Sequence, residues 1–155
     1  MNLTVVHVIR SAKFAGVERH VATLAAGQAE VGHRVVVIGG EEAAMRDATA
    51  GSGVKVRPST TLVGTARWID RFRAADILHV HMTAAEAAAV LAPRSWGVPV
   101  VSSRHFARRR GASWAGHVAA PVIPHRIHVE IAVSDYVARH IGAPSTVVHP
   151  GVAVA

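Results

Sequence analysis

A chain of 155 residues, 50% of them hydrophobic, is long enough to bury one ordinary core and too apolar to stay disordered. The absence of cysteine excludes disulfides, thiolate metal sites and a cysteine nucleophile, and no apolar run reaches the ~20 residues of a membrane helix. The formal net charge of +7 is almost all arginine, with Lys13 and Lys55 the only lysines, and alanine, valine and glycine are abundant. A GC-rich genome produces that composition, so charge alone does not define a nucleic-acid surface.

Taken in chain order, short apolar runs alternate with helical periodicities. Met1-Asn2-Leu3-Thr4 lacks the basic flank and apolar run of a signal peptide, which predicts a cytoplasmic location. Leu3 to Ile9 (LTVVHVI) has the continuous apolar character of a buried parallel strand. Val17 to Val31 follows as a helix stopped by Gly32, and Arg34 to Ile38 as a second strand closed by Gly39-Gly40. A short helix is predicted over Glu41 to Ala50 and a brief strand over Val54 to Arg57. Thr65 to Ala75 reads as an amphipathic helix, with Trp68, Ile69 and Phe72 inward and Arg67, Arg71 and Arg73 outward. Strand Ile77 to Val80, helix Ala84 to Ala92 and strand Val98 to Ser102 come next, then an irregular segment from Ala107 to Pro124. Strand His128 to Val133, helix Asp135 to Ile141 and strand Thr146 to His149 complete the pattern. Strands alternating with helices imply crossover connections, and hence an α/β, Rossmann-like parallel sheet with helices on both faces. One such domain is predicted over residues 1–155.

Open parallel sheets bind ligands beyond the carboxyl ends of their strands. The predicted turns there carry Ser11-Ala12-Lys13-Phe14-Ala15-Gly16, His81-Met82-Thr83 and Ser103-Arg104-His105-Phe106. A pocket at that edge would be basic and histidine-rich, which suits a phosphorylated ligand. Gly16 would open the first helix, where backbone N–H groups attract anions; an ordinary tight turn is the other reading. Lys13 lies in a loop overlooking the same edge, and Glu18 in the first helical turn reads as a cap. His79 and His81 share one face of a strand. As a pair they could bind zinc, but no third ligand is evident, so no metal site is predicted. His81, nearer the strand end, is expected at the pocket, and His7 as a core histidine satisfied by hydrogen bonds. Ser134 reads as a helix cap. Arg104, Arg108 and Arg109 are candidates for an anionic acceptor. Without interleaved aromatics the arginines do not fit single-stranded nucleic acid, and the first turn lacks the Gly-x-Gly-x-x-Gly of a dinucleotide site.

Five motifs in order resemble the N-terminal half of family 4 glycosyltransferases, retaining enzymes of the GT-B architecture. They are Ala15-Gly16-Val17-Glu18 leading into Gly32-His33-Arg34-Val35-Val36-Val37; Asp76-Ile77-Leu78-His79-Val80-His81; Val98-Pro99-Val100-Val101-Ser102-Ser103-Arg104-His105; Ile131-Ala132-Val133-Ser134; and Val147-Val148-His149-Pro150-Gly151-Val152. The resemblance implies transfer from a nucleoside diphosphate sugar to an acceptor, lipid-linked or phosphorylated, with no further cofactor. It implies His105 beside the transferred sugar, and Gly16 with Ala15 at the donor phosphates. It implies that this is the acceptor-side half of a GT-B fold. The paired glutamates of the family's donor-binding C-terminal domain are absent, so this chain alone is expected to be inactive. A partner-dependent binding module is the alternative. Family members that use lipid acceptors touch anionic membranes, and the Arg67, Arg71 and Arg73 helix is the candidate surface for peripheral contact. Three positions depart from the family pattern, one of them Pro150, which stands where the family has asparagine. Ala15 stands where the family has glycine, and Ala153 where it has aspartate.

Overall fold

The computed structural model describes residues 1–110 and 120–151. Strand Thr4–Ile9 (β1) leads through a loop into helix Gly16–Glu30 (α1), then strand Arg34–Gly39 (β2), helix Glu42–Ala48 (α2) and strand Lys55–Arg57 (β3). Helix Leu62–Arg71 (α3), strand Ile77–His81 (β4), helix Met82–Val90 (α4), a 3-10 turn at Pro93–Ser95 and strand Val100–Arg104 (β5) follow. Helix Ile123–Arg126 (α5), strand Val129–Ala132 (β6), helix Asp135–His140 (α6) and strand Thr146–Val147 (β7) close the order. The strands form one seven-stranded sheet in the order β3-β2-β1-β4-β5-β6-β7, and every neighbouring pair is parallel. The α/β, Rossmann-like reading therefore holds.

Side-chain parity along the strands sorts the core into two layers. Val6, Val8, Val36, Ile38, Leu78, Val80 and Val100 point to one face and pack on Ala66 and Ile69 of α3 and on the alanines of α4. Ile9, Val35, Val37 and Val56 point to the other, against Val21, Ala22 and Ala25 of α1 and Met45 of α2. Both faces being covered is why β1 and β2 read as near-continuous apolar runs.

The boundaries that differ most from the sequence reading are those of α3, β5 and the β4–α4 junction. The helix predicted from Thr65 begins at Leu62, because Thr61 caps it by accepting a hydrogen bond from the Gly64 N–H at 3.1 Å. It ends at Arg71, which leaves Arg73 outside it. The fifth strand starts at Val100 rather than Val98 and runs on through Ser103 and Arg104, which pair with Ile131 and Ala132 of β6. No turn separates β4 from α4, since Met82 follows His81 directly into the helix with φ 68°. A short helix, Ile123–Arg126, spans the end of the segment predicted as irregular, and residues 111–119 lie outside the described residues.

Candidate functional site

The carboxyl ends of β1, β4 and β5 open onto a cleft of ≈ 640 Å³. Its walls are Ser11, Lys13, Ala15, Gly16 and Glu18 from the first loop and helix, Met82 from the start of α4, His105 and Phe106 beyond β5, and Pro150. Sharp turns make the loop. Ser11 N–H donates to the Ile9 carbonyl, and the Lys13 N–H to the Ser11 hydroxyl at 3.1 Å. Ala15 precedes α1 in extended geometry (φ −128°, ψ −157°), which any residue adopts, so alanine costs nothing at this position. Glu18, buried, turns its carboxylate back to accept the Ala15 N–H at 2.9 Å. The side chain of Ala15 carries no acceptor, so no side-chain cap covers the entrance to α1. A Cβ on Gly16 would meet nothing within 4 Å. An uncapped helix N-terminus with empty space in front of it is fitted to an anion. Lys13, exposed on the loop above, adds a mobile positive charge. Met82 is the one non-glycine with positive φ among the described residues, and it sits at this cleft.

Behind His105 lies a line of imidazoles on the α1 face of the sheet. His105 Nε2 is 3.2 Å from His81 Nδ1, and His81 Nε2 is 3.1 Å from His7 Nδ1. His7 Nε2 is in turn 2.7 Å from Gln28 Oε1 on α1. Parity and register explain the assembly, because β1 neighbours β4, His7 pairs with His79, and β5 delivers His105 next to His81. His20, half-buried one turn into α1, meets the His105 ring edge-on with centroids 5.4 Å apart. Burial pushes His7 down to about 4 and, with help from the nearby His20, His105 down to about 4; it also lowers His20, His79 and His81. All five rings are accordingly neutral at pH 7.

His7 is the third histidine that sequence spacing did not reveal beside His79 and His81, and one ring nitrogen from each lies within 4.8 Å of the others. The His79 and His81 rings, however, face each other 4.3 Å apart at 28°. Their lone pairs therefore run side by side rather than toward one point. His79 Nε2 is engaged by the Ser103 hydroxyl at 2.8 Å. His7, His81 and His105 form a hydrogen-bonded chain, and His79 stacks beside it.

The other predicted site residues fall elsewhere. His81 does not line the cleft: it is 0% exposed and reaches it only through His105. Arg104 is buried on the opposite face of the sheet, because it is of opposite parity to Ser103. It pairs with Glu130 at 3.0 Å and donates to the Arg108 carbonyl. Arg108 is exposed with its backbone held in that contact, and Arg109 lines a separate cavity with Pro124, His128 and Ile141. Arg110 joins Glu86 at 2.7 Å and Glu130 at 3.1 Å. The arginines after β5 thus divide between an internal ion-pair network and solvent. Ser134 caps α6 by accepting the Val137 N–H at 3.2 Å. The inner face of α3 packs into the core through Ile69, and Arg71 lies over its half-buried Trp68 at 4.6 Å. The departure at Ala153 and the end of the fifth motif at Val152 lie outside the described residues. Sequence reasoning gave no role to His20 or Gln28. The available signal was a polar residue on the inward stripe of α1, where Val21, Leu24 and Ala25 lead to Gln28.

A parallel sheet in this order, with a helix entrance and a polar wall at its carboxyl edge, defines a Rossmann-like α/β domain. The chain belongs to Glycosyltransferase Family 4, whose model matches residues 14–155. No curated protein matches it significantly. Among solved structures it is similar to Anabaena HepE in complex with UDP-glucose, with a TM-score of 0.72 and 16% identity over 97% of this chain and 44% of that one. A glycosyltransferase from Rickettsia africae ESF-5 gives 0.66 and 18% over 90% of this chain and 38% of that one. A UDP-N-acetylglucosamine 2-epimerase from Rickettsia bellii gives 0.55 and 14% over 90% and 41%. At these identities the likeness is one of fold, and the chain spans less than half the length of each. No helix among the described residues is long and apolar enough to cross a membrane.

Proposed function

We propose that this chain is the acceptor-side half of a retaining glycosyltransferase, acting on a nucleoside diphosphate sugar with no cofactor beyond that substrate. The observation that carries the reading is the cleft itself, where the uncapped entrance of α1 at Gly16 stands opposite His105. Chemically, the departing diphosphate needs positive potential, and the sugar needs a hydrogen-bonding wall. The helix N-terminus and Lys13 supply the first, and His105 the second. A second domain, which would close the cleft and hold most of the nucleotide, accounts for similar structures being more than twice as long. Alone, this chain then binds without turning over donor.

The test joins this chain to a family donor-binding domain and measures sugar transfer. His105→Ala should lower kcat by about 100-fold, the loss expected when one positioned polar group leaves the transition state. Transfer unchanged in His105→Ala would remove His105 from the mechanism. Binding of a sugar nucleotide with no transfer in any two-domain form would favour the partner-dependent binding module.

A further inference from the structure

We infer that Gln28 is a positioning residue: acting through His7 and His81, it fixes the tautomer that His105 presents to the cleft, with Nε2–H inward and the Nδ1 lone pair outward. The argument is a count of protons along the chain. A neutral imidazole has one N–H and one lone pair, and an amide oxygen only accepts. Gln28 Oε1, 2.7 Å from His7 Nε2, therefore requires the proton on that nitrogen and leaves His7 Nδ1 as a lone pair. His81 Nε2, 3.1 Å away, must donate to it, which leaves His81 Nδ1 as an acceptor. His105 Nε2, 3.2 Å from that atom, must donate in turn. Every link then holds one proton, and His105 Nδ1 holds none.

The order is cooperative. Reversing His7 or His81 alone would set two N–H groups face to face at one link and two lone pairs at the next, and reversing His105 would set its lone pair against that of His81. His7 and His81 are both 0% exposed, so no solvent relieves either clash. A buried polar group left without its partner is strongly disfavoured, so three rings follow the orientation of one amide. Burial that keeps these rings neutral supports the count of one proton per link.

The consequence for the cleft is a division of labour that rests on the transferase reading, whereas the tautomer itself does not. An outward lone pair accepts a hydrogen bond from a hydroxyl and repels an ionised phosphate oxygen, which has no proton to give. His105 is thereby a hydroxyl-reading group, and the phosphates are left to the α1 entrance and Lys13.

The experiment is long-range proton–nitrogen correlation NMR on the whole chain labelled with ¹⁵N-histidine at pH 7.5, with assignment by single substitutions. The expected spectrum shows His7, His81 and His105 all protonated at Nε2 and bare at Nδ1. An Nδ1–H on His105 would overturn the proposal outright, whatever the protein's activity. Gln28→Met removes the acceptor, and His105 should then lose its single-tautomer pattern. Retention of that pattern in a folded Gln28→Met protein would overturn the role of Gln28. Should that variant fail to fold, Gln28→Glu carries the test, because a carboxylate oxygen still accepts and the His105 pattern must persist. In the two-domain enzyme Gln28→Met should lose about tenfold in transfer, one mis-set hydrogen bond, with recovery in Gln28→Glu. Loss of the NMR pattern with intact transfer would retain the tautomer assignment and refute its use in catalysis.

Discussion

At the entrance of α1 the residue that matters most is the one with the least chemistry. Ala15 sits in N-cap geometry but offers no oxygen, and Glu18 compensates by taking the Ala15 N–H rather than any N–H of the helix's own first turn. Those first-turn donors stay available to a ligand. Ala15→Ser would supply the missing acceptor without changing backbone geometry, since φ −128° suits a serine cap. It should stabilise the fold by about 1 kcal/mol, raising Tm by about 2–4 °C. It should also weaken sugar-nucleotide binding in the two-domain enzyme, because the new hydroxyl competes for the same N–H groups. Calorimetry paired with nucleotide titration checks both, and a gain in stability with unchanged affinity would place the anion elsewhere. The converse change, Glu18→Ala, should cost about 1 kcal/mol by orphaning the Ala15 N–H.

Between elements, the sheet's two faces have opposite polar chemistry, and one strand serves both. Ser103 of β5 faces α1 and holds His79, while Ser102 and Arg104 face α4. There Glu86, 0% exposed in an otherwise alanine-rich helix, accepts from the Ser102 hydroxyl at 2.6 Å and from Arg110 at 2.7 Å and 2.8 Å. Burial alone would raise the Glu86 carboxyl, but Arg110, Ser102 and Arg104 together hold it below its ordinary value. Glu86→Ala leaves two arginines facing a buried gap and should cost about 3–5 kcal/mol, read as a fall in the urea midpoint. A loss below 1 kcal/mol would mean that solvent already reaches the network. This network also explains why Arg104 was misread from sequence. An arginine after an apolar strand looks like a ligand-binding group, and only the strand's true end, two residues later than predicted, fixes its parity. Helix and strand identities were legible because apolar runs and glycine stops are local signals. Ion partners such as Glu86 with Arg110 and Arg104 with Glu130, 24 and 26 residues apart, are not, because nothing local states which strands lie side by side.

For the molecule as a whole, strand order converts scattered histidines into one buried body. His7, His79, His81 and His105 lie far apart along the chain, and the sequence supports only a core histidine, a His-x-His pair and a turn residue; the placement of β4 and β5 beside β1 brings them together. The cleft's position was readable, since parallel sheets bind at their carboxyl edges, but the chain behind it needed the topology. This body makes folding depend on pH in a defined window. His7 is lowered from 6.5 to about 4 by burial, so between those values the unfolded chain binds a proton that the folded chain refuses. The His7 contribution is therefore full above pH 6.5, falls as pH drops toward 4 and levels off below, about 3 kcal/mol in all. Glu86 acts in a different window, since a lowered carboxyl loses its contribution only as pH falls below its ordinary 4.5. Urea midpoints measured at pH 7.5, 5.5 and 4.5, followed by tryptophan fluorescence, should decline across that series. Replacing the ring with a group that does not titrate, as in His7→Gln, should flatten the decline relative to the parent even where it lowers stability overall. Equal slopes in the two proteins would show that His7 takes up its proton in the folded state, and that the imidazole body is open to water.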